Sequence, residues 1–224
     1  MRTLLLVITL AAVLGSAVGR AEPVPIITCG QTVDGEGALV GDLDCSAFDG
    51  DTIRLTRSGT VLLNGFTLTG NSNFGRAAVR CFRRCRVRGP GAITGAYVGV
   101  AGTGDPAVGV SIQDVSITGT NVGAAASGAI RASGCAISGN LGGLNAHKSV
   151  RVLDSSVTGN DDYGALSQYG RVILIDSTVT GNGGACDFYC ADVYCPRRPV
   201  VRRSTCDTSS QNPAHDTWGV CTND

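Results

Sequence analysis

Apolar and polar residues alternate along most of this chain in short runs, each broken by glycine, asparagine or aspartate. In Arg171-Val172-Ile173-Leu174-Ile175 the neighbours alternate in direction with a period of two, the mark of a strand and not of a helix. The runs also recur. Asp114-Val115-Ser116-Ile117-Thr118-Gly119-Thr120 returns as Gly134-Cys135-Ala136-Ile137-Ser138-Gly139-Asn140, then as Asp154-Ser155-Ser156-Val157-Thr158-Gly159-Asn160 and Asp176-Ser177-Thr178-Val179-Thr180-Gly181-Asn182. Upstream, residues 65–71 and 89–95 align to it. The marker glycine falls at 70, 95, 119, 139, 159 and 181, at spacings of 25, 24, 20, 20 and 22 residues. Periods of this length mean a solenoid, and the leucine frame of a leucine-rich repeat is absent. Each repeat reads as three short strands, for example Gly164 to Ser167, Val172 to Ile175 and Thr178 to Thr180. The predicted fold is all-β: a parallel β-helix of about six to seven coils over residues 53–184, between caps at 22–52 and 185–224.

No coil is expected to fold alone. Ordering some 22 residues costs roughly 22 to 44 kcal/mol of backbone entropy, while each inward aliphatic side chain returns about 1.5 to 3 kcal/mol. Stacking on both faces, at about 4.8 Å per coil, supplies the missing burial and strand hydrogen bonds. Asn71, Asn140, Asn160 and Asn182 share one turn position, which Ala96 and Thr120 interrupt. Two readings of that column stand: a ladder of stacked amides, or turn residues that tolerate a left-handed backbone. Asp114, Asp154 and Asp176 form a second column, expected as turn chemistry.

Composition supports short strands and turns: 32 glycines in 224 residues and 5% aromatics leave little for long packed helices. Arg2, the apolar run Leu4 to Leu14 and the small residues up to Ala21 read as a signal peptide over 1–21. The run is too short to span a bilayer, so no membrane insertion is expected. Ten cysteines in an exported chain read as disulfides. Cys29 with Cys45 and Cys81 with Cys85 close short loops. Cys186, Cys190, Cys195, Cys206 and Cys221 crowd the C-terminal cap, one of them unpaired. Cys135 stands in an inward column and reads as a buried thiol. The cysteines lack paired CxxC spacing, and the only histidines, His147 and His215, are far apart, so neither a metal nor a cofactor is implied. The acidic sets Asp161–Asp162 and Asp42, Asp44, Asp49 and Asp51 match no calcium-loop spacing.

Leu63-Asn64-Gly65-Phe66-Thr67-Leu68-Thr69-Gly70, with Cys29-Gly30 and Asp42-Leu43-Asp44-Cys45 at the start and Trp218-Gly219-Val220-Cys221 at the close, resembles the small secreted bacterial members of the pectate-lyase-like superfamily. The resemblance covers nearly all of the mature chain and implies a right-handed parallel β-helix. It leaves function open, because that superfamily holds polysaccharide lyases, glycoside hydrolases, epimerases, adhesins and proteins without known activity.

Enzymes of that superfamily work on the outer face of one sheet. The column expected to face outward, Arg80, Ala101, Ala125, Asn145 and Leu166, holds no carboxylate, whereas glycoside hydrolysis needs two. Asn145, His147 and Lys148, with Tyr169 one coil later, form a small polar set. Arg76, Arg80, Arg83, Arg84, Arg86 and Arg88 crowd one coil, and alternation turns Arg84, Arg86 and Arg88 outward. Arg197, Arg198, Arg202 and Arg203 form a second group. A formal net charge of zero hides both groups and gives no argument for nucleic acid. Arginine suits bidentate capture of carboxylate or sulfate, so Arg80, Arg84, Arg86, Arg88, Asn145 and His147 are the candidate binding residues. The candidate partner is an acidic polysaccharide or another surface polymer. An alternative pairs the arginines with Asp34, Glu36, Asp42, Asp44, Asp49 and Asp51, or leaves them solvated. The function expected is a non-catalytic binding or structural protein that is extracellular, periplasmic or on the cell surface. A small polysaccharide lyase or hydrolase is the alternative.

Overall fold

The computed structural model describes residues 22–104, 107–183, 191–211 and 216–224. The segment read as a signal peptide, Cys186, Cys190 and His215 lie outside the described residues. Within them the chain winds as a parallel β-helix with three sheets of nine, eight and nine strands. The first sheet runs from Val24–Ile26 to Arg197–Arg202, the second from Leu43–Asp44 to Thr205–Cys206, and the third from Gln31–Val33 to Ser209–Ser210. Strand ladders therefore extend into both end segments. One coil comprises Val150–Leu153 in the first sheet, Ser156–Thr158 in the second and Tyr163–Ser167 in the third. The next begins with Arg171–Ile175 and Thr178–Thr180, close to the strands expected from alternation.

Stacking sets like residues on like. Leu68, Ile93, Ile117, Ile137, Val157 and Val179 pair in sequence along the second sheet, all fully buried. Val87, Ile112, Ala132, Val152 and Leu174 do the same in the first. β-Branched residues predominate at these sites because their stiff side chains pack well against the aliphatic residue one coil away. The turns are equally regular. The marker glycines Gly95, Gly119, Gly139, Gly159 and Gly181 have φ between 60° and 66°, a left-handed backbone that costs any other residue energy. Asp114, Asp154 and Asp176 also lie there, at φ 56°, 47° and 51°, consistent with a turn role.

The asparagine column is a hydrogen-bonded ladder. Asn140 Nδ2 donates to Asn160 Oδ1 at 2.9 Å, and Asn160 Nδ2 donates to Asn182 Oδ1 at 2.8 Å. Asn182 Nδ2 donates in turn to Asp192 Oδ1 at 2.7 Å. The same three oxygens accept the backbone N–H groups of Asn140, Asn160 and Asn182. Thr120, expected as an interruption, instead begins the ladder, because its hydroxyl donates to Asn140 Oδ1 at 2.7 Å as an amide would. Asn71 stands outside, beyond Ala96, and bonds Ser46 O and Asn73 N. A second ladder runs through Cys135, Ser155, Ser177 and Ser204, each backbone N–H meeting the next hydroxyl. Cys135 is a buried thiol within it, and burial raises its pKa.

Among the described residues three disulfides are formed, Cys29–Cys45, Cys81–Cys85 and Cys206–Cys221. They point to an oxidising, non-cytoplasmic compartment. Of the five cap cysteines, grouped as disulfide residues with one of them unpaired, Cys195 is a buried thiol with no disulfide partner among the described residues. The turn after Ala191–Tyr194 directs its side chain into the core, where Sγ donates to Arg197 O at 3.0 Å. The C-terminal end is closed by residues 216–224. Trp218 Nε1 donates to Cys195 O, and the Asp224 carboxylate accepts from the N–H groups of Ser209, Val220 and Cys221. Partial burial pushes the Asp224 carboxyl up, but these bonds and the Ser209 hydroxyl outweigh it and hold it below the usual carboxylate range.

Asn160→Ala removes two donors and an acceptor from buried partners, and an expected loss of about 3 kcal/mol follows from leaving such groups unsatisfied. Urea unfolding checks this; a loss under about 0.5 kcal/mol would show that the ladder is not stabilising. The depressed Asp224 carboxyl contributes stability that is complete above the unfolded value, near 3.9, and lost as pH falls through the lower folded value. The stability gap between wild type and Asp224→Asn is therefore expected to be widest at neutral pH and to close as pH falls through the lowered folded value.

Candidate functional site

The first sheet carries two outward columns. The central one runs Thr60, Arg86, Ser111, Arg131, Arg151, Ile173 and Val200, each in register with the next. Beside it run Leu62, Arg88, Gln113, Ser133, Leu153, Ile175 and Arg202. On the other flank, immediately ahead of the strands, Arg84 is followed on later coils by the small residues Gly109, Ala129 and Ser149. Their shortness leaves a trough between the arginine stems. It is lined by Arg84, Arg86, Ser111, Arg131, Ser149 and Arg151 and encloses about 510 Å³. A further hollow of about 240 Å³ extends it over Ser58, Gly59 and Thr60, sharing Arg84 and Arg86. Arg131 and Arg151 stand on adjacent coils, about 4.8 Å apart, and Arg86 lies two coils before Arg131.

These arginines are exposed, and among the described residues none of Arg84, Arg86, Arg88, Arg131 and Arg151 has an ion-pair or hydrogen-bond partner. Guanidinium groups held at one face without carboxylates repel one another and attract anions, and their planar forks suit carboxylate, sulfate or phosphate. The acidic residues nearest in register lie at its margins. Glu36 pairs with Thr60 at the N-terminal end of the central column. Asp114, Asp154 and Asp176 occupy the turn beyond the second column. Arg203 grips Asp176 with two hydrogen bonds of 2.5 and 2.6 Å and holds its carboxyl below the usual range.

The arginine run of the sequence is thus divided. Arg76 pairs with Asp49 at 3.1 Å and Arg80 with Asp51 at 2.7 Å, and Arg54 also reaches Asp51 at 3.5 Å. The acidic run is consumed locally. Asp42 and Asp44 accept backbone N–H groups, which depresses the Asp44 carboxyl, and Asp34 accepts from Thr56. Of the candidates, Arg84 and Arg86 line the trough, and Arg88 stands outward in the neighbouring column, opposite Gln113. The Cys81–Cys85 disulfide closes the loop that carries Arg83 and Arg84 and fixes Arg84 at the rim.

Arg80 and Asn145 lie on the third sheet, in the column Arg80, Ala101, Ala125, Asn145 and Leu166 that alternation predicts. Ala101 and Leu166 are buried there, so this face is partly covered. Asn145 bonds Tyr163 and Gln168, and the His147 ring meets Tyr169 edge-on at 5.5 Å. Neither residue joins the arginine trough.

Sequence reasoning missed Arg131, Arg151 and Ser111. They are isolated in their own segments, and clustering along the chain does not reveal them. The signal was phase. Ser111, Arg131 and Arg151 each stand eight residues ahead of their marker glycines, Gly119, Gly139 and Gly159. No protein-family model, curated protein or solved structure matches this chain.

Proposed function

We propose that this is a secreted β-helix protein of the pectate-lyase-like type that binds an acidic polysaccharide, without catalysis, along the outer face of its first sheet. The observation that carries this reading is the set of unpaired arginines Arg84, Arg86, Arg131 and Arg151 around one open trough. A polymer bearing one acid group per sugar presents charges at intervals comparable to the coil rise, so several pairs form along one chain. Multiple weak pairs suit a linear ligand better than a small one, since the second and later contacts are intramolecular. The hydroxyls of Ser111 and Ser149 add donors and acceptors for sugar hydroxyls between the charges. Catalysis by two carboxylates draws no support from this face, whose central column offers arginine, serine, threonine and aliphatic side chains after Glu36. An exported location agrees with the disulfides and with the apolar leader in the sequence.

Retention on a polygalacturonate column is expected to fall steeply between 50 and 300 mM salt, as screening shortens the reach of each charge. The Arg86→Ala, Arg131→Ala, Arg151→Ala triple variant is expected to lose at least tenfold in affinity with an unchanged circular dichroism spectrum. Arg76→Ala, whose partner is Asp49, serves as control and is expected to bind as wild type. Equal retention of the triple variant would remove this reading.

A further inference from the structure

The same face changes chemistry toward its C-terminal end. After Arg151 the central column continues with Ile173 and Val200, and beside it Leu153 and Ile175 follow Ser133. All four point outward, and all are partly exposed. Strands of the preceding coils carry Ser111, Gln113, Arg131 and Ser133 at the equivalent positions, so the sheet has no structural need for aliphatic residues there. An aliphatic patch continuous with a set of unpaired cations marks a binding surface of mixed character.

We infer that this face also takes an acidic glycolipid, with its acidic sugar on Arg131 and Arg151 and its acyl chain on Leu153, Ile173, Ile175 and Val200. The inference rests on the reading that these arginines take an anion. Register places Ile173 one coil beyond Arg151 and Leu153 two residues along the same strand, so head group and chain contact adjacent side chains. A fully charged polysaccharide continuing over this patch would desolvate its carboxylates against aliphatic carbon, which is costly. A second copy of the chain docked on this patch would cover its aliphatic carbon and leave Arg131 and Arg151 on the adjoining coils without an anion. An anion with an attached alkyl chain satisfies both halves.

Three probes separate the contributions: glucuronate carries the charge alone, octyl glucoside the chain alone, and octyl glucuronide both. Calorimetric titration below the micelle concentration is expected to give octyl glucuronide at least tenfold tighter binding than either of the others. The triple variant Leu153→Ser, Ile173→Ser, Ile175→Ser introduces the residue already present as Ser111 and Ser133 in these columns. It is expected to bind octyl glucuronide no better than glucuronate, while keeping its retention on polygalacturonate. Should the variant unfold, Ile173→Ser alone is expected to reduce the octyl increment at least threefold. Equal affinity for glucuronate and octyl glucuronide would overturn the glycolipid inference and leave the polysaccharide reading standing. Equal affinity for octyl glucoside and octyl glucuronide would overturn it as well, since the arginines would then contribute nothing. A dimer in sedimentation that octyl glucuronide leaves intact and the serine variant dissolves would assign the patch to a second copy and overturn it too. Tight octyl glucuronide binding without polygalacturonate retention would uphold this inference and remove the extended polymer.

Discussion

Register between successive coils is the constraint on which the rest of this molecule depends. A β-helix has no layer of helices to cover its sheets and no long-range core beyond the column of side chains inside each coil, so its strand hydrogen bonds are all made with the coil before or after. A slip of one residue in any strand would turn its inward side chains to solvent and its outward ones to the core. The ladder from Thr120 through Asn140, Asn160 and Asn182 to Asp192 resists such slips, because each amide accepts from one neighbour and donates to the next at a fixed turn position. Its bonds are buried, where an unmade partner is costly. The serine ladder does the same at another turn. Between them the two turns fix the phase of the coil from both sides of the second sheet.

Once register is fixed, surface chemistry follows from sequence phase. Residues twenty or more positions apart come to lie about 4.8 Å apart, so charges dispersed in the chain become a column. Arg131 and Arg151, each alone in its segment, become neighbours in this way. A protein of zero formal net charge thereby acquires a basic face, while its carboxylates are taken up in ion pairs near the N-terminal end, in turns and in the C-terminal cap. Net charge and binding face are independent quantities here, since one is a sum and the other depends on which phase the charges occupy.

The ends obey a different rule, because terminal coils have a neighbour on one side only. Disulfides lie near both ends, Cys29–Cys45 at one and Cys206–Cys221 at the other, and constrain segments that stacking cannot fully hold. Cys81–Cys85 is closer to the middle of the first-sheet face and serves the geometry of the Arg84 loop. The irregularity between Arg171 and Ile173 against Arg197–Arg202 falls where the repeat itself gives way, so the last coil follows a looser register than those before it.

The sequence by itself determined the coil. Strand alternation, the marker glycines, the aspartate turns, the inward direction of Cys135 and the pairings Cys29–Cys45 and Cys81–Cys85 all rest on local backbone preference or on short loops, and such features are visible in one dimension. It also ordered the third-sheet column from Arg80 to Leu166 correctly. Only the tertiary structure decided which of the arginines are free. Arg76 and Arg80 meet Asp49 and Asp51 across coils, and Arg86 does not, a distinction invisible to a count of charges along the chain. It likewise turned Cys195 inward, let the hydroxyl of Thr120 begin a ladder of amides, and covered part of the face where Asn145 lies. Each of these outcomes is a contact between coils or between a coil and its cap. Periodicity says which residues share a column, but the contacts that satisfy or leave open each side chain exist only after the coils have stacked.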